Sequence, residues 1–196
     1  MIREDLWANP IWIFDIPNSI VDTAEVEKEC YLNQSLFPSR QSSNQGGYQS
    51  NNIDINAYPN ILALASEIDK GVLIAAAQLN VRRQINLSIV NMWININSTG
   101  GYNSCHIHGD SLLSGVYYVK SPDLNQSIIF HNPCAARNLI ASTFTTMNNA
   151  LTFNTVEYKP IKGRLIIFPS WLPHEVKSNN HTEDRISISF NAVKIG

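Results

Sequence analysis

Apolar and polar residues alternate along two long segments in the second half of the chain, a period typical of β-strands with one buried face. In Ser88–Asn97, one face carries Val90, Met92, Ile94 and Ile96, and the other carries Asn91, Trp93, Asn95 and Asn97. In Arg185–Val193, one face carries Ile186, Ile188, Phe190 and Ala192, and the other carries Arg185, Ser187, Ser189 and Asn191. The polar face of the last strand is either a pocket wall or solvent surface, and the periodicity alone does not choose between them.

Three shorter runs of strand-forming residues lie between these two segments. They are Leu112–Lys120, Ser127–His131 and the almost wholly apolar Arg164–Phe168. Turn-forming Gly, Asn, Ser and Pro residues separate them, beginning with the turn predicted at Ser98–Asn103. The second half is therefore predicted to consist of many short strands.

The first half contains two segments with a helical pattern. Asp22 with Glu25 resembles a capping box, and a second helix is predicted to begin at Pro59 and to fade near Asn80. Its buried stripe is Leu64, Ile68 and Val72. The polar stretch Gln41–Asn52 is predicted to be a surface loop or lid.

These elements predict a mainly β fold with helices (α+β), in which a barrel or sandwich of strands is buttressed by N-terminal helices. The length of 196 residues fits a single domain over 1–196. Within it, residues 1–85 are expected to form helical and irregular support, and residues 86–196 the β core.

Composition excludes several classes of protein. Hydrophobic residues make up 44% of the chain and charged residues 15%, which is enough apolar material for a core. The net charge of −2 gives no general attraction to nucleic acid, and no apolar run is long enough to cross a membrane. Three scattered cysteines and no secretory signal in Met1–Pro10 lead us to expect a reduced, cytoplasmic protein.

The histidines are the first candidates for chemistry. His106 and His108 are spaced to share one face of an extended strand, and His174 follows just beyond an apolar strand. Three ligands of this kind would leave coordination positions open, as a catalytic metal requires. By itself, an H-x-H pair is more often a pair of surface or hydrogen-bonded histidines than a metal site.

A second candidate group follows His174. Arg185 and Ser187 form an Arg-x-Ser pair at the start of the last strand. The planar guanidinium can grip a carboxylate with two parallel charge-assisted hydrogen bonds. By itself, an arginine at a strand start is usually a solvated charge.

The C-terminal half resembles the 2-oxoglutarate and Fe(II)-dependent oxygenases, and most specifically a bacterial and phage branch of them. The matching stretches are Trp93-x-Asn95, HIHGDSLLSGVYYV from His106 to Val119, and Phe168 to Asn191, which contains FPSWLPHEV and RISISFN. The resemblance implies a double-stranded β-helix, a cupin-like jelly-roll of two sheets. It also implies Fe(II) as cofactor, 2-oxoglutarate as cosubstrate, and a hydroxylase activity that releases succinate and CO₂.

Matched to this family, His106 is the first iron ligand and His174 the distal one. Arg185 with Ser187 would bind the far carboxylate of 2-oxoglutarate, and Tyr118 resembles a tyrosine that contacts the cosubstrate. The chain departs from the family pattern at His108, which stands where Asp or Glu is usual. Either three histidines hold the metal, or the register slips so that His108 and Asp110 serve as ligands.

Three function classes follow for this chain. The first is the 2-oxoglutarate oxygenase. The others are a cupin-like metalloenzyme without 2-oxoglutarate and a non-catalytic jelly-roll that binds another molecule. The substrate could be a protein side chain, a nucleotide or a small metabolite, and the location would be the host cytoplasm if the gene belongs to a phage.

The remaining cysteines and histidines of the second half are not expected to be ligands. Cys105 points away from His106 in a regular strand and is predicted to pack in the core or around the site. His131 and Cys134 are predicted to have packing or turn roles, and His181 to face solvent in a turn.

Overall fold

The structure is a computed structural model that describes residues 2, 9–82, 85–134 and 152–195. The strands among these residues are β1 (Trp12–Asp15), β2 (Asn44–Gln45), β3 (Tyr48–Gln49), β4 (Asn86–Asn97), β5 (Tyr102–His106), β6 (Leu113–Lys120), β7 (Ile128–His131), β8 (Thr155–Tyr158), β9 (Arg164–Pro169), β10 (His174–Val176) and β11 (Arg185–Ile195). The helices are α1 (Thr23–Leu36) and α2 (Pro59–Gln78), with a 3₁₀ turn at Ile55–Ala57. None of the helices in this part of the chain is long and apolar enough to cross a membrane.

The strands form two antiparallel sheets. The six-stranded sheet has the order β1-β9-β6-β11-β4-β3, and the five-stranded sheet has the order β2-β5-β10-β7-β8. Between them lies an apolar cluster of Val116, Tyr118, Ile128, Phe130, Ile166, Phe168 and Leu172. The predicted mainly β fold with helices is confirmed.

Both helices have the starts that the sequence predicts. Asp22 caps α1 by accepting a hydrogen bond from the Ala24 amide, whereas Glu25 pairs with Lys28 and not with the cap. Helix α2 begins at Pro59, and its first amides at Asn60 and Ile61 donate to the carboxylate of Glu29 on α1. Because these amides have no partner inside their own helix, Glu29 both caps α2 and fixes it to α1.

The helices cover the outer face of the six-stranded sheet. The predicted stripe of Leu64, Ile68 and Val72 is fully buried there, in the same apolar cluster as one face of β11, and α2 contacts β4 and β9. That face contains Ile186, Ile188, Phe190 and Ala192, all of them fully buried. Since side chains alternate along a strand, Arg185 and Ser187 point to the opposite face, between the two sheets.

One predicted strand face is interrupted. In the pairing of β11 with β4, Asn191 pairs with Asn91 and Ala192 pairs with Ile89, so Val90 is skipped. This β-bulge turns Val90 outward, to 41% exposure, instead of placing it with Met92 in the core. The prediction from the sequence assumed uninterrupted alternation, and it was wrong at Val90.

The polar stretch Gln41–Asn52 is not a surface loop. It contains β2, which pairs with β5, and β3, which pairs with β4, so the stretch adds an edge strand to each sheet. The chain passes from one sheet to the other at Gly46, whose φ of 65° favours glycine. Ser50 is buried, and its hydroxyl accepts a hydrogen bond from the Ile94 amide.

Residues before 86 therefore do more than provide helical support. Strands β1, β2 and β3 belong to the two sheets, and β1 pairs with β9 along its whole length. Strands of both sheets therefore lie before residue 85, where the support was expected to end and the β core to begin. Strands of only two to four residues are too short to show a period in the sequence.

Candidate active site

Three histidines meet at one end of the five-stranded sheet. His106 is the last residue of β5 and pairs with His174, the first residue of β10. His108 lies two residues beyond the end of β5, not within a strand, and its amide donates to the Ser170 carbonyl over 2.9 Å. One ring nitrogen from each of the three lies within 4.8 Å of the others.

Backbone carbonyls orient two of these rings. Nδ1 of His106 lies 2.7 Å from the Ser104 carbonyl, and Nδ1 of His174 lies 2.9 Å from the Leu172 carbonyl. Since a carbonyl only accepts, each Nδ1 carries the proton and donates it. The Nε2 lone pair of both rings is then free to bind a metal ion.

Burial keeps the three imidazoles neutral. Loss of solvation lowers the pKa of His174 to about 3 and the pKa of His108 to about 4, and it lowers the pKa of His106 as well. Neutral imidazole is the form that coordinates a metal, and three such nitrogens suit a divalent iron. The donor set therefore fits Fe(II). Asp110 is an exposed turn residue outside the cluster.

Arg185 is a buried cation on the wall of the same cavity. Its side chain is 1% exposed, and Nη1 donates to the carbonyls of Gln126 and Lys177 over 3.3 and 3.0 Å. In the part of the chain that the structure describes, no carboxylate pairs with it. Burial lowers its pKa to about 10, so the guanidinium still carries its charge at neutral pH.

Tyr118 and Ser187 lie beside this arginine. They pair with each other between β6 and β11, and both line the cavity. The hydroxyl of Tyr118 is fully buried and has no hydrogen-bond partner among the described residues. Its burial raises its pKa, which the charge of Arg185 partly offsets, so the phenol stays protonated and available as a donor. The polar face of β11 is thus a pocket wall, one of the two alternatives open from the sequence.

Two adjacent cavities contain these groups. The inner one is lined by the three histidines, Arg185, Ser187 and Tyr118. The outer one has a volume of about 490 Å³ and a polar wall that includes Arg40, Ser42, Gln49, Ser50 and Asn91. Both cavities share Ser43, Trp93, His106 and His108, so the histidine cluster lies where they meet.

Some of these residues were not predicted as site residues, although Trp93 belongs to one of the family-like stretches. Trp93 lies with its ring centroid 5.8 Å from that of His108, and Ser43 comes from the stretch predicted to be a loop. Gln126 and Lys177 act through their carbonyls, which any residue type could supply. Only the register of the strands shows that these residues reach the site.

Cys105, Cys134 and His181 were not expected to be metal ligands of the site. Cys105 does point away from His106, but it is exposed and does not pack in the core. The Cys134 amide donates to Asn132 in a turn, as expected. His181 lies in a bend and is only half-exposed, and its Nδ1 accepts a hydrogen bond from the Glu183 amide.

Comparison with known proteins identifies the family. The model of one family, described as "Putative 2OG-Fe(II) oxygenase", where 2OG is 2-oxoglutarate, matches residues 91–191. This chain belongs to that family. The match spans the segments that contain His106 and Arg185, and it confirms the resemblance to the 2-oxoglutarate and Fe(II)-dependent oxygenases. No curated protein matches the chain.

Solved structures of other 2OG-Fe(II) oxygenases share the fold. A prolyl-4-hydroxylase from Pseudomonas putida has a TM-score of 0.69 at 15% identity, over 96% of this chain and 94% of its own. A Trichoplax adhaerens prolyl hydroxylase, in complex with a hypoxia inducible factor peptide fragment, has 0.61 at 20%, over 93% and 83%. HygX from Streptomyces hygroscopicus, with nickel, 2-oxoglutarate and hygromycin B bound, has 0.59 at 12%, over 94% and 83%. The predicted double-stranded β-helix is confirmed.

Proposed function

We propose that His106, His108 and His174 hold Fe(II) in this oxygenase, and that Arg185, Ser187 and Tyr118 hold the distal carboxylate of 2-oxoglutarate. The observation that carries the proposal is the buried guanidinium of Arg185, which has no carboxylate partner in the described part of the chain. A buried charge without a counter-ion costs several kcal/mol. A carboxylate bound from solution would remove that cost.

Tyr118 and Ser187 make the anchor specific for a carboxylate. The Tyr118 hydroxyl is buried and unpartnered, and Ser187 lies opposite it on the neighbouring strand. Two hydroxyl donors beside a planar guanidinium can together hydrogen-bond both oxygens of a carboxylate. A cation without neighbouring hydroxyl groups would not select for the planar shape of a carboxylate.

The chain's own groups position the reactants and exclude water. Bound Fe(II) would supply the reductive activation of O₂, coupled to decarboxylation of 2-oxoglutarate to succinate and CO₂, with the second oxygen atom entering the substrate. The three histidines are neutral and so bring no negative charge to the metal. The negative charge of 2-oxoglutarate therefore contributes more to neutralising the metal here than it would beside a ligand set that includes a carboxylate. Phe168 and Phe130 pack against the His174 ring, with ring centroids 4.6 and 5.9 Å away, and keep solvent from its inner side.

The slipped register with Asp110 as a ligand is the weaker alternative. Asp110 is exposed in the turn after His108, and it is not part of the histidine cluster. The His108 amide is bonded to the Ser170 carbonyl, which holds the imidazole beside the other two. Three histidines are therefore the ligand set that the geometry favours.

The outer cavity is the proposed substrate site. Its volume of about 490 Å³ is in the usual range for small-molecule pockets. Amide, hydroxyl and guanidinium groups dominate its wall, which favours a polar substrate. Such a substrate could be a protein side chain, a nucleotide or a small metabolite. Relatives with solved structures bind a peptide fragment in one case and hygromycin B in another.

Succinate release tests the proposal. Protein reconstituted with Fe(II) without oxygen is mixed with oxygenated buffer, with and without 2-oxoglutarate, and succinate is measured. We expect succinate only when iron, O₂ and 2-oxoglutarate are all present, and none above background from His174→Ala. Equal succinate from wild type and His174→Ala would contradict the proposal, and so would its complete absence from wild type.

A further inference from the structure

A second group of metal-binding residue types lies outside the site described above. Cys105, His131 and Glu175 offer one ligand atom each, and the three atoms lie within 4.8 Å of one another. They come from β5, β7 and β10, which are neighbours in the five-stranded sheet. Three adjacent strands therefore deliver three different donor types to one point.

Strand register places this group on the opposite face from the histidine cluster. His106 and His174 pair and face the cavity, so the next residues, Cys105 and Glu175, face outward. Phe130 pairs with His174 and packs on its ring, so His131, the next residue of β7, also faces outward. The two groups are back to back on the same strands.

The side chains are close to the geometry of a bound metal. Nε2 of His131 is buried, has no hydrogen-bond partner among the described residues, and lies 3.6 Å from a carboxylate oxygen of Glu175. Cys105 is a free, exposed thiol. Ligand atoms on a tetrahedral zinc lie roughly 3–4 Å apart. Small side-chain rotations would close the present group onto an ion.

We propose that Cys105, His131 and Glu175 form a second metal site, for Zn²⁺ or another thiophilic divalent ion, on the outer face of the five-stranded sheet. A thiolate, an imidazole and a carboxylate match the ligands that zinc takes in proteins, and they suit Mg²⁺ or Ca²⁺ poorly. Three protein ligands leave one position for water. The ion would link β5 to β10 and so support the register that pairs His106 with His174.

Cobalt titration tests this site separately from the iron site. Reduced, metal-free protein is titrated with Co²⁺, and the thiolate-to-cobalt charge-transfer band is followed together with the stoichiometry. We expect two Co²⁺ ions per wild-type chain, one of which gives the thiolate band. Cys105→Ser should remove the band and one ion, whereas the matched exposed-cysteine control, Cys134→Ser, should keep both.

Two further variants separate ligand loss from structural damage. His131→Gln keeps the thiol, and we expect it to weaken the band-forming Co²⁺ by more than about tenfold. His174→Ala should lose the other ion and keep the thiolate band, because the two groups share strands but no ligand. No thiolate band in the wild type, or an unchanged band in Cys105→Ser, would overturn the second site without touching the proposed iron site.

Discussion

His106 and His174 occupy paired positions on the antiparallel strands β5 and β10, and their ring centroids lie 4.4 Å apart. Backbone pairing therefore brings together two imidazoles that are distant in sequence. His108 joins them because its amide is fixed to the Ser170 carbonyl, which puts its ring centroid 5.0 Å from that of His106. Strand pairing and one backbone hydrogen bond thus hold the three rings together.

Removal of one imidazole should severely reduce metal binding. We expect His106→Ala, His108→Ala and His174→Ala each to weaken the binding of Fe(II), or of Ni(II) as a surrogate, by at least about 100-fold. Even residues that only orient a ligand are worth about 10- to 100-fold. Equilibrium dialysis in the Cys105→Ser background, which removes the proposed second site, measures the effect at the histidines.

Asp110→Ala is the matched control for this series. Asp110 is exposed, so its loss should leave metal content at the wild-type level. Full occupancy in His108→Ala, together with loss in Asp110→Ala, would show that the slipped register is correct and that the three-histidine set is wrong.

Acid should destabilise the metal-free protein in a definite pH window. The imidazoles titrate near 6.5 in the unfolded chain, but burial lowers the folded pKa of His108 to about 4 and that of His174 to about 3. Between these values the unfolded state binds more protons, so stability is full above pH 6.5 and falls as the pH falls toward the folded values. From pH 7 to pH 5 the loss should be roughly 1–2 kcal/mol per histidine.

Urea denaturation at the two pH values checks this expectation. His108→Gln should show a smaller pH dependence than the wild type, because one of the titrating groups is gone. Equal stability of metal-free wild type at pH 7 and pH 5 would contradict the assignment of neutral, buried imidazoles.

Gly115 is expected to tolerate no side chain. A Cβ at this position would lie 2.5 Å from Cε1 of the fully buried Phe190 and 2.7 Å from the Ile166 carbonyl oxygen. Both neighbours are held by the sheet and the helices, so Gly115→Ala should cost about 1–3 kcal/mol of unfolding free energy. At Gly109 an added Cβ meets nothing within 4 Å, so Gly109→Ala is the control. Similar midpoints for the two variants in denaturant would refute the packing described here.

The family and the fold class could be predicted because their signals are local. The alternation of apolar and polar residues along β11 can be recognised from one sequence alone. The same is true of the spacing of His106 and His108. The starts of both helices were also predicted, since Asp22 and Pro59 act through neighbouring residues. These features depend on contacts within a few positions of the chain.

The remaining features depend on contacts that the sequence does not mark. Val90 is skipped because of how β11 pairs with β4, and no residue type announces that bulge. The strands at Asn44–Gln45 and Tyr48–Gln49 are too short and too polar to show a period. The exposure of Cys105 follows from the outer face of the sheet being open at that point, which alternation cannot indicate.

The binding of 2-oxoglutarate by Arg185 is tested most directly by calorimetric titration of metal-loaded, oxygen-free protein. We expect the wild type to bind it and Arg185→Ala to bind it about 30- to 1000-fold more weakly, since a buried charge-assisted pair is worth roughly 2–4 kcal/mol. Arg185→Lys should recover only part of the loss, because an ammonium lacks the planar fork. Arg164→Ala, which removes an arginine paired with Asp15 at the edge of the sheet, should bind like the wild type. Equal affinity of wild type and Arg185→Ala for 2-oxoglutarate would contradict the proposed cosubstrate site.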